Sequence, residues 1–377
     1  MTAVANARAR VARLGLRDFR SFERLELTTP ADGFVLVGEN GAGKTNLLEA
    51  VYYLSILRSA RGARDAAVAR FGADGFFVEA DLCVKESHSV SVGFERATKR
   101  KRVLRDGAAA ERLSDAIGSL PAVMFSPDDV ALVSGAPGAR RRFLDIMLAL
   151  GSRSYLHALQ HYRAALERRN AALRDAARSG GGTAAAEVWE PALAEHGAKL
   201  WRARREWVDG VRGAYAERCA SIGERGASQL RYVCSVDDDG NEREALAAAL
   251  AARRPGDLRH GVTGVGPHRD DLSLQLDRRD LSTYGSAGQH RSAAITLRIL
   301  EAETLRAACG AAPVLLLDDP FAELDAGRAE RVLALLGAVG LGQTILAVPR
   351  DSDIPREFTA LPRARVTPGG VAPEWST

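Results

Sequence analysis

The feature that most restricts the fold of this chain is a glycine-rich loop at residues 38–45, with the sequence G-E-N-G-A-G-K-T. It matches the pattern G-x-x-x-x-G-K-[ST] in full. The apolar segment G-F-V-L-V-G precedes it, and Leu47, Leu48, Val51 and Leu54 follow it at helical spacing. A strand, a glycine turn and a helix in this order predict a phosphate-binding loop in an α/β domain.

We expect this loop to bind the phosphates of a nucleotide. Its glycines let backbone N–H groups converge on phosphate oxygens, Lys44 supplies charge toward the β- and γ-phosphates, and the Thr45 hydroxyl ligates Mg²⁺. The positive end of the following helix dipole strengthens the attraction. The predicted nucleotide-binding residues are Gly38, Glu39, Asn40, Gly41, Ala42, Gly43, Lys44, Thr45 and Asn46.

A second apolar segment, P-V-L-L-L-D-D, ends in two adjacent carboxylates, Asp318 and Asp319. Its four apolar residues, 314–317, suit a buried parallel strand. Asp318, at the carboxyl end of that strand, is predicted to hold Mg²⁺ together with Thr45, as the aspartate of a Walker B motif does. Asp319 is the candidate to polarise the attacking water, so we expect Asp319 and Lys44 to be the catalytic residues.

The segment S-A-G-Q at residues 286–289 is similar to the S-G-G-Q signature of ABC-type ATPases. An apolar-periodic run follows it, so its Ser and Gly would lie at a helix N-terminus, which attracts phosphate. In that family the signature covers the γ-phosphate bound by a second subunit, and a D-loop lies at the same seam. The resemblance therefore implies an ATP-dependent homodimer. The residues that would act across it are Ser286, Ala287, Gly288, Gln289 and Arg291, with Asp325 of the segment E-L-D as the D-loop.

The chain as a whole resembles the RecF family of bacterial recombination-repair ATPases, which is related to SMC heads. Eight segments match in the family's order: L-R-D-F-R-S-F, G-E-N-G-A-G-K-T-N-L-L-E-A, F-S-P-D-D-V-A-L-V-S-G, R-R-R-F-L-D, H-Y-R-A-A-L-E-R-R-N, G-V-G-P-H-R-D-D-L, G-S-A-G-Q-H-R-S-A-A and L-L-L-D-D-P-F-A-E-L-D. The resemblance implies a protein of recombinational repair and replication-fork maintenance. It would bind ATP and Mg²⁺, dimerise on DNA at gaps or single-strand/double-strand junctions, and work with RecO- and RecR-like partners.

The expected fold is therefore α/β, an ABC/SMC-type P-loop ATPase head with a mixed sheet, flanking helices and an inserted α-helical lobe. The middle of the chain is rich in Ala, Arg, Leu and Glu, and two helical runs, 139–178 and 184–222, flank an S-G-G-G-T linker. A glycine-rich connection favours an antiparallel helical hairpin. We expect an ATPase lobe from residues 1–136 and 258–377, and a short helical arm over 137–257.

Three positions depart from the wider ABC family. The second acidic residue after the apolar strand is Asp319, where most members have Glu. Residues 125–128 read F-S-P-D, where a Q-loop would carry Gln. Residues 348–350 read V-P-R, where a sensor His is usual. An Asp is one methylene shorter than a Glu, which favours slow turnover. We therefore expect a weak, DNA-stimulated ATPase that serves as a conformational switch.

The net charge of +4, from 52 basic and 48 acidic residues, is too small to indicate nucleic-acid binding by itself. Local clusters are more informative, although a single cluster of this kind is more often just a solvated face. The candidate DNA-binding residues are Lys99, Arg100, Lys101, Arg102, Arg140, Arg141 and Arg142. Aromatic residues make up 6% and do not interleave with these clusters, so we expect contacts to phosphate rather than to stacked bases.

Several other classes are disfavoured. No apolar run approaches the roughly 18–20 residues of a membrane span. The N-terminus lacks the apolar core of a secretory signal, and the four cysteines form no C-x-x-C pair, so we expect a cytoplasmic protein. His268 with Asp270 and Asp271 could suggest a metal site, which is disfavoured because no third ligand is evident and Gly266-Pro267 favours a structural turn.

Three alternative functions were weighed against the switch. The ATPase subunit of a transporter would need the missing Q-loop Gln and sensor His. A nuclease of the overcoming-lysogenisation type would need a catalytic domain after Asp325, for which the chain has no room. An SMC-like DNA scaffold with little turnover remains open, because the sensor segment is altered. Arg58, Arg61 and Arg64 could either reach phosphates at the dimer seam or pair on the surface.

Overall fold

The structure, a computed structural model, describes residues 7–236, 240–321, 324–340 and 342–376. The chain divides into two compact units, one formed by Met1–Asp129 with Ala294–Thr377 and the other by Val130–Ala293. The arm expected over 137–257 lies within the second unit. Residues 258–293, which we expected in the ATPase lobe, belong to the second unit as well, because the strand at Asp271–Leu276 pairs with the strand at Ser228–Val233.

The first part of the chain is mostly strands with one long helix. Its elements are β1 (Arg10–Phe19), β2 (Phe22–Thr28), β3 (Gly33–Val37), α1 (Lys44–Ile56), α2 (Asp65–Val68), β4 (Gly75–Cys83), β5 (Ser87–Glu95), β6 (Arg100–Arg105), β7 (Ala108–Ala109), α3 (Leu113–Ala116) and β8 (Ala122–Phe125).

The middle of the chain is mostly helical. Its elements are α4 (Ala131–Ser134), α5 (Pro137–Gly151), α6 (Arg153–Ser179), α7 (Ala184–Glu187), α8 (Glu190–Ile222), β9 (Ser228–Val233), α9 (Glu242–His260), β10 (Asp271–Leu276), β11 (Arg279–Asp280), α10 (Leu281–Tyr284) and α11 (Ala287–Cys309). The last part returns to strands, with β12 (Val314–Asp318), α12 (Ala326–Val339), β13 (Thr344–Val348), β14 (Arg363–Thr367) and β15 (Gly370–Pro373).

The central sheet of the first unit has the strand order β15-β14-β3-β13-β12-β8. Its strands run parallel, except that β15 is antiparallel to β14. Strands β3, β12 and β13 are buried along their whole length, which explains their unbroken apolar sequences. One strand, β13, separates β3 from β12, so the loops after these two strands leave the same edge of the sheet.

A second, antiparallel sheet in the same unit has the order β2-β1-β4-β5-β6-β7. Its strand β4 alternates buried residues with partly buried or exposed ones, as expected for a sheet with one buried face. The basic segment before Asp106 and Gly107 predicts a hairpin that turns at these two residues. Their φ angles of 51° and 76° are those of a two-residue hairpin turn between β6 and β7. This confirms the expected turn.

In the second unit, α6 and α8 form the predicted antiparallel hairpin. Tyr155, early in α6, bonds to Arg204 near the middle of α8, whereas Arg169, in the second half of α6, bonds to Glu190 at the start of α8. The first predicted helical run, however, is two helices, because it breaks at Ser152, whose side chain accepts a hydrogen bond from Tyr155 N and caps α6. The predicted single helix was therefore wrong at this position.

The core of the second unit contains a fully buried guanidinium. Arg169 is 0% exposed and donates to Asp257, Thr263 and Glu190 at 2.7, 2.8 and 3.0 Å. A buried charge is tolerated only when such partners satisfy it. Among the described residues, no helix has both the length and the apolar character needed to cross a membrane.

Candidate functional site

The glycine loop connects β3 to α1, as predicted, and the helix begins at Lys44. Gly43 has a φ of 113°, a backbone conformation that strongly favours glycine, and a Cβ there would lie 2.9 Å from Ser21 Oγ. Gly38 is packed even more tightly, since a Cβ would lie 2.4 Å from the carbonyl oxygen of Val366 on β14. The loop therefore has its required shape only with glycine at these two positions.

Lys44 lies under the loop rather than in solvent. Its side chain is largely buried, and Nζ donates to the carbonyl oxygens of Gly38 at 2.5 Å and Glu39 at 2.9 Å. Burial lowers the pKa of Lys44, and the carboxylates of Asp318 and Asp319 oppose this lowering. A loop-bound ammonium with two carboxylates nearby is a suitable site for the charges of a phosphate and a divalent cation.

The two predicted metal ligands meet. Thr45 Oγ1 donates a 3.1 Å hydrogen bond to Oδ1 of Asp318, at the end of β12. Burial raises the pKa of Asp318, while the Thr45 hydrogen bond and the charges of Arg61 and Lys44 lower it. A hydroxyl and a carboxylate at this distance match the oxygen ligands that Mg²⁺ prefers. Arg61, one of the three arginines after α1, thus acts electrostatically on this site.

Asp319 directly follows β12 in an unusual backbone conformation. Its φ is 44°, and its N–H donates to the carbonyl oxygen of Ala347 on β13 at 3.0 Å. Left-handed backbone at a residue with a side chain costs on the order of 1 kcal/mol and is frequent at functional sites. The neighbouring strand thus holds Asp319 at the edge of the sheet where the glycine loop also lies.

The turn between β1 and β2 is attached to α1, a relationship that our sequence reasoning did not identify. Arg20 makes a bidentate pair with Glu49, whose side chain is 0% exposed, and Ser59 also donates to Glu49. Ser21 Oγ accepts from Asn46 Nδ2 at 3.0 Å. The signal was the R-S-F of the first matching segment, which lies against the start of the phosphate-binding helix.

A network of hydrogen bonds and ion pairs, which we did not predict from the sequence, holds the segment at the Q-loop position. Asp129 Oδ2 accepts from the N–H of Ser126, and Asp129 Oδ1 accepts from Arg298 at 2.6 Å. Arg298 also donates to Glu301, and burial raises the pKa of that carboxyl group. In place of a glutamine, the chain thus has a buried ion network at the end of β8.

The altered sensor segment lines an open cavity of about 660 Å³ beside the glycine loop. Pro349 and Arg350 lie on one side of it, and Glu39 and Asn40 lie on another. Nearby, Asp351 pairs with Arg365 at 2.6 Å. The segment is thus close to the loop, and Arg350 is an exposed cation where the wider ABC family has histidine.

The predicted signature begins α11, in the second unit. Ser286 and Gln289 form reciprocal hydrogen bonds, since Ser286 N donates to Gln289 Oε1 at 2.8 Å and Gln289 N donates to Ser286 Oγ at 3.3 Å. Ser286 and Ala287 are exposed, and Gly288 and Gln289 are half-buried. Arg291 is buried, so it does not share the exposed surface on which we expected it.

Asp325, predicted to belong to a D-loop, is the N-cap of α12. Its carboxylate accepts from the N–H of Arg328 at 2.9 Å, and the side chain is 66% exposed. A capping role explains an aspartate at this position without any ligand. Glu323 of the same predicted segment lies outside the described residues.

The structure corrects two of the seven predicted DNA-binding residues. Lys101 Nζ donates to the carbonyl oxygen of Leu57 and pairs with Asp65 at 2.8 Å, and its side chain is 14% exposed. Arg140 is 5% exposed and makes a bidentate pair with Asp271. The ammonium group of Lys101 and the guanidinium group of Arg140 both pair with residues of the same chain, so neither is placed to contact a DNA phosphate.

The other five differ in exposure. Lys99, Arg100 and Arg102 on the basic hairpin are exposed, which is compatible with the predicted contact to phosphate. Arg141 and Arg142 are half-buried, and Arg141 donates to the carbonyl oxygen of Asp270 at 2.7 Å. The hairpin thus offers the more accessible of the two predicted basic clusters.

The disfavoured metal site at His268 is a structural hydrogen-bond network. Tyr162 bonds to Nδ1 of His268 at 2.7 Å, and Nε2 lies 3.0 Å from the carbonyl oxygen of Thr263. Burial lowers the pKa of His268 to about 4. Asp270 accepts hydrogen bonds from Tyr232 and the N–H of Ser235. In the part of the chain that the structure describes, no cluster of three or more His, Cys, Asp or Glu side chains is placed to hold a metal ion.

Comparison with known proteins places this site in a family. A family model described as an AAA domain matches residues 13–120. The DNA replication and repair protein RecF of Frankia alni is 38% identical over 365 residues, covering 92% of this chain and 95% of that protein. The RecF protein of Acidothermus cellulolyticus is 39% identical over 348 residues, covering 89% and 92%.

Solved structures agree with the predicted fold. The recombination mediator protein RecF, solved with ATP and described as acting in the RecFOR pathway, has a TM-score of 0.89 at 26% identity and covers 100% of both chains. An Smc head domain from Pyrococcus furiosus has a TM-score of 0.52 at 16% identity, covers 97% of this chain and 96% of that one, and supports the fold alone. The predicted SMC-type ATPase head is confirmed.

The curated relatives are DNA repair proteins, which agrees with the predicted DNA-repair role and not with the alternative of a transporter subunit. Their similarity extends over nine-tenths of this chain. The chain therefore belongs to the RecF family of DNA replication and repair proteins.

Proposed function

We propose that this protein is an ATP-gated DNA-binding switch, in which two copies close around ATP while on DNA and hydrolysis releases them. The observation that carries the proposal is the 3.1 Å contact between Thr45 and Asp318 beside Lys44. It joins the glycine loop to the strand that ends in two carboxylates. The solved relative with ATP supports the choice of nucleotide.

The residues of the loop fit a nucleoside triphosphate. The backbone of residues 38–45 and the N-terminus of α1 would hold its phosphates, with Lys44 at the β- and γ-phosphates. Thr45 and Asp318 have the oxygen ligands to hold Mg²⁺, which when bound would neutralise charge that develops on the phosphates. Asp319, next to Asp318, would position and polarise the attacking water.

The second half of the composite site would come from another copy of the chain. Ser286 is exposed at the first turn of a helix of 23 residues, where the helix dipole and free N–H groups favour a phosphate. Ser286 and Gln289 are joined by two reciprocal hydrogen bonds, so a γ-phosphate bound at Ser286 would replace one of these hydrogen bonds with a hydrogen bond to the phosphate. Because a γ-phosphate exists only in ATP, closure would depend on ATP rather than ADP.

DNA contact would come mainly from phosphate recognition by the exposed basic hairpin at Lys99, Arg100 and Arg102. The solved relative is described as part of the RecFOR pathway, which supports RecO- and RecR-like proteins as partners. Gapped duplexes and single-strand/double-strand junctions are the DNA structures we propose. A cytoplasmic location is consistent with such a role.

The test is to measure the mass of the particle by sedimentation velocity in the presence of Mg²⁺-ATP, ADP, or ATP with gapped duplex. We expect dimers with ATP, more of them with gapped duplex, and monomers with ADP. Lys44→Ala should remain monomeric in all three conditions, and Asp319→Asn should form dimers that persist because hydrolysis is slowed. Equal dimer populations with ATP and ADP would contradict the switch, and wild-type dimerisation of Lys44→Ala would contradict the nucleotide site.

A further inference from the structure

Three histidine side chains come together on the helical hairpin of the second unit. His157 and His161 lie on α6, and His196 lies on α8. The ring centroids are 4.1 Å apart for His157 and His161, 5.0 Å for His161 and His196, and 6.1 Å for His157 and His196. The proposed nucleotide and DNA contacts use none of these residues, which we call the histidine cluster.

The close approach of α6 and α8 accounts for the cluster. His157 and His161 are four residues apart, so they are neighbours on one face of α6. Gly197 directly follows His196, and a Cβ at Gly197 would lie only 3.2 Å from Cε2 of Tyr162, which directly follows His161. Because glycine has no Cβ, α8 can lie against α6 at this level. Two packed helices thus hold the three histidines next to one another.

The cluster contains a nitrogen that lacks a polar partner. Nδ1 of His196 is shielded from solvent and has no hydrogen-bond partner among the described residues. The neighbouring carboxylate, Glu195, accepts a hydrogen bond from Lys199 at 2.9 Å and not from the cluster. A buried nitrogen without a partner costs free energy, which a bond to a ligand would recover. A partner that binds imidazole nitrogen would therefore stabilise this part of the hairpin.

The protonation state of His196 is that of a metal ligand. Burial lowers the pKa of His196, and the charge of Glu195 opposes this lowering. The other two histidines and Lys199 lower the pKa further. Neutral imidazole is the form that binds metal ions, and histidine is the commonest metal ligand in proteins. His196 is therefore in its ligating form at neutral pH.

The spacing of the three rings is close to that of three imidazoles on one zinc ion. With Zn–N distances of about 2.0–2.1 Å and tetrahedral angles, the ring centroids of such ligands are about 5 Å apart. The observed separations differ from this value by about 1 Å or less.

The orientation of the rings differs from that of an assembled site. His161 and His196 are stacked with an interplanar angle of 24°, so their in-plane lone pairs do not converge. This agrees with the absence of an assembled metal site among the described residues. His157 and His161 are exposed, so their side chains can rotate without a movement of the helices.

We propose that His157, His161 and His196 bind one Zn²⁺ ion, which cross-links α6 to α8. Each histidine would supply one nitrogen, and water would complete the four-coordinate shell. The pair on α6 has the i, i+4 spacing with which two histidines bind zinc from one face of a helix. Mg²⁺ prefers oxygen ligands, so this site would be independent of the Mg²⁺ proposed at Thr45 and Asp318.

Calorimetric titration with ZnCl₂ tests the ligands, using the full chain purified without a polyhistidine tag. We expect one ion per chain at the cluster, without competition from excess MgCl₂. His157→Ala, His161→Ala and His196→Ala should each raise the Kd at least about tenfold, since loss of a mere outer-shell partner already weakens metal binding 10–100-fold. His260→Ala removes an exposed histidine with no second histidine one turn away and should bind as the wild type does.

Thermal unfolding tests the cross-link between the two helices. With ZnCl₂ at about 100 times its Kd, the unfolding midpoint of the wild type should rise by about 5–10 °C, because the ion binds the folded chain. The three cluster variants should lose this rise, and His260→Ala should keep it. Circular dichroism should show wild-type helix content in every variant, which separates loss of the site from loss of the fold.

The outcomes decide between the cluster and other sites. Absence of zinc binding to the wild type, or unchanged binding in all three cluster variants, overturns the proposal. Weaker binding in His157→Ala and His161→Ala but not in His196→Ala overturns the cross-link and leaves a site on α6 alone. Equal weakening in His260→Ala shows that zinc does not select the cluster. Lys44→Ala should bind zinc normally, so the result does not depend on the nucleotide site.

Discussion

The hydroxyl of Thr45 donates a hydrogen bond to the carboxylate of Asp318 at 3.1 Å, across a sequence separation of 273 residues. The contact is possible because β3 and β12 end at the same edge of one parallel sheet, with β13 between them. It brings together two oxygen ligands that neither strand could supply alone. The proposed chemistry depends on this pair.

Replacing Asp318 by Asn tests that dependence. Asp318→Asn keeps the size of the side chain and removes its negative charge, so Mg²⁺ would lose a ligand. We expect ATP turnover to fall at least about 100-fold, since a bound cation contributes several kcal/mol of charge stabilisation. Phosphate release measures it. Asp32→Asn, at a carboxylate that is 80% exposed, is the matched control, and equal turnover in the two variants would contradict the assignment.

The role of the signature across a dimer is tested by Ser286→Arg. The larger, charged side chain would occupy the exposed turn where a second copy's γ-phosphate is proposed to bind. We expect ATP affinity of the monomer to be unchanged and ATP-dependent dimers to be lost in sedimentation velocity. Ser179→Arg adds the same side chain at an exposed position at the end of α6 and should dimerise normally. Normal dimers of Ser286→Arg would disprove the composite site.

The two basic clusters should respond differently to mutation. Arg102 is exposed, so Arg102→Ala should weaken DNA binding and reduce the slope of log K against log salt by about one. Arg140→Ala should leave that slope unchanged but lower the free energy of unfolding by about 3–5 kcal/mol, because Asp271 loses its buried partner. Fluorescence anisotropy and urea unfolding measure the two effects. A reduced slope for Arg140→Ala would show that its side chain reaches DNA.

The buried guanidinium of Arg169 predicts a large stability effect. Arg169→Leu leaves Asp257 without this partner in the core, and we expect the free energy of unfolding to fall by about 3–5 kcal/mol. The control is Arg178→Leu, at a side chain 77% exposed, which should change stability by no more than about 0.5 kcal/mol. Urea unfolding at pH 7 compares them, and similar midpoints would refute the structural role.

His268 predicts a pH dependence with a definite sign. Its pKa is lowered to about 4 by burial, so between the ordinary value of 6.5 and about 4 the unfolded chain binds a proton that the folded chain does not. The contribution to stability is complete above pH 6.5 and is lost as the pH falls toward 4, by up to about 3 kcal/mol. His268→Asn should lack this component, whereas His260→Asn, at an exposed histidine, should retain it. Unfolding from pH 4 to 7 measures the difference.

The sequence predicted the elements whose signals are local. The apolar runs of β3 and β12 and the turn at Asp106 and Gly107 depend on neighbouring residues, and their positions were predicted correctly. The break at Ser152 was missed, because a serine within a helical run is compatible with a continuous helix unless its side chain caps a new one. Local patterns thus predict elements better than their interruptions.

The exposure of charged residues could not be predicted in the same way. In the sequence, Lys101 and Arg140 cannot be distinguished from the basic residues next to them. In the structure, Lys101 pairs with Asp65, and Arg140 pairs with Asp271, which is 131 residues further along the chain. The bond between Asp129 and Arg298 spans 169 residues. Such partners are brought together by tertiary packing, which a single sequence does not encode as a local pattern.

The order of strands in the central sheet has a consequence for biosynthesis. Strand β3 pairs with β13 and β14, which are translated about 300 residues after it. The second unit, Val130–Ala293, is one continuous stretch and has been translated in full while β3 still lacks both neighbours. A nascent chain therefore lacks the completed sheet behind the glycine loop until nearly all of it has been made, and we expect incomplete chains not to bind nucleotide.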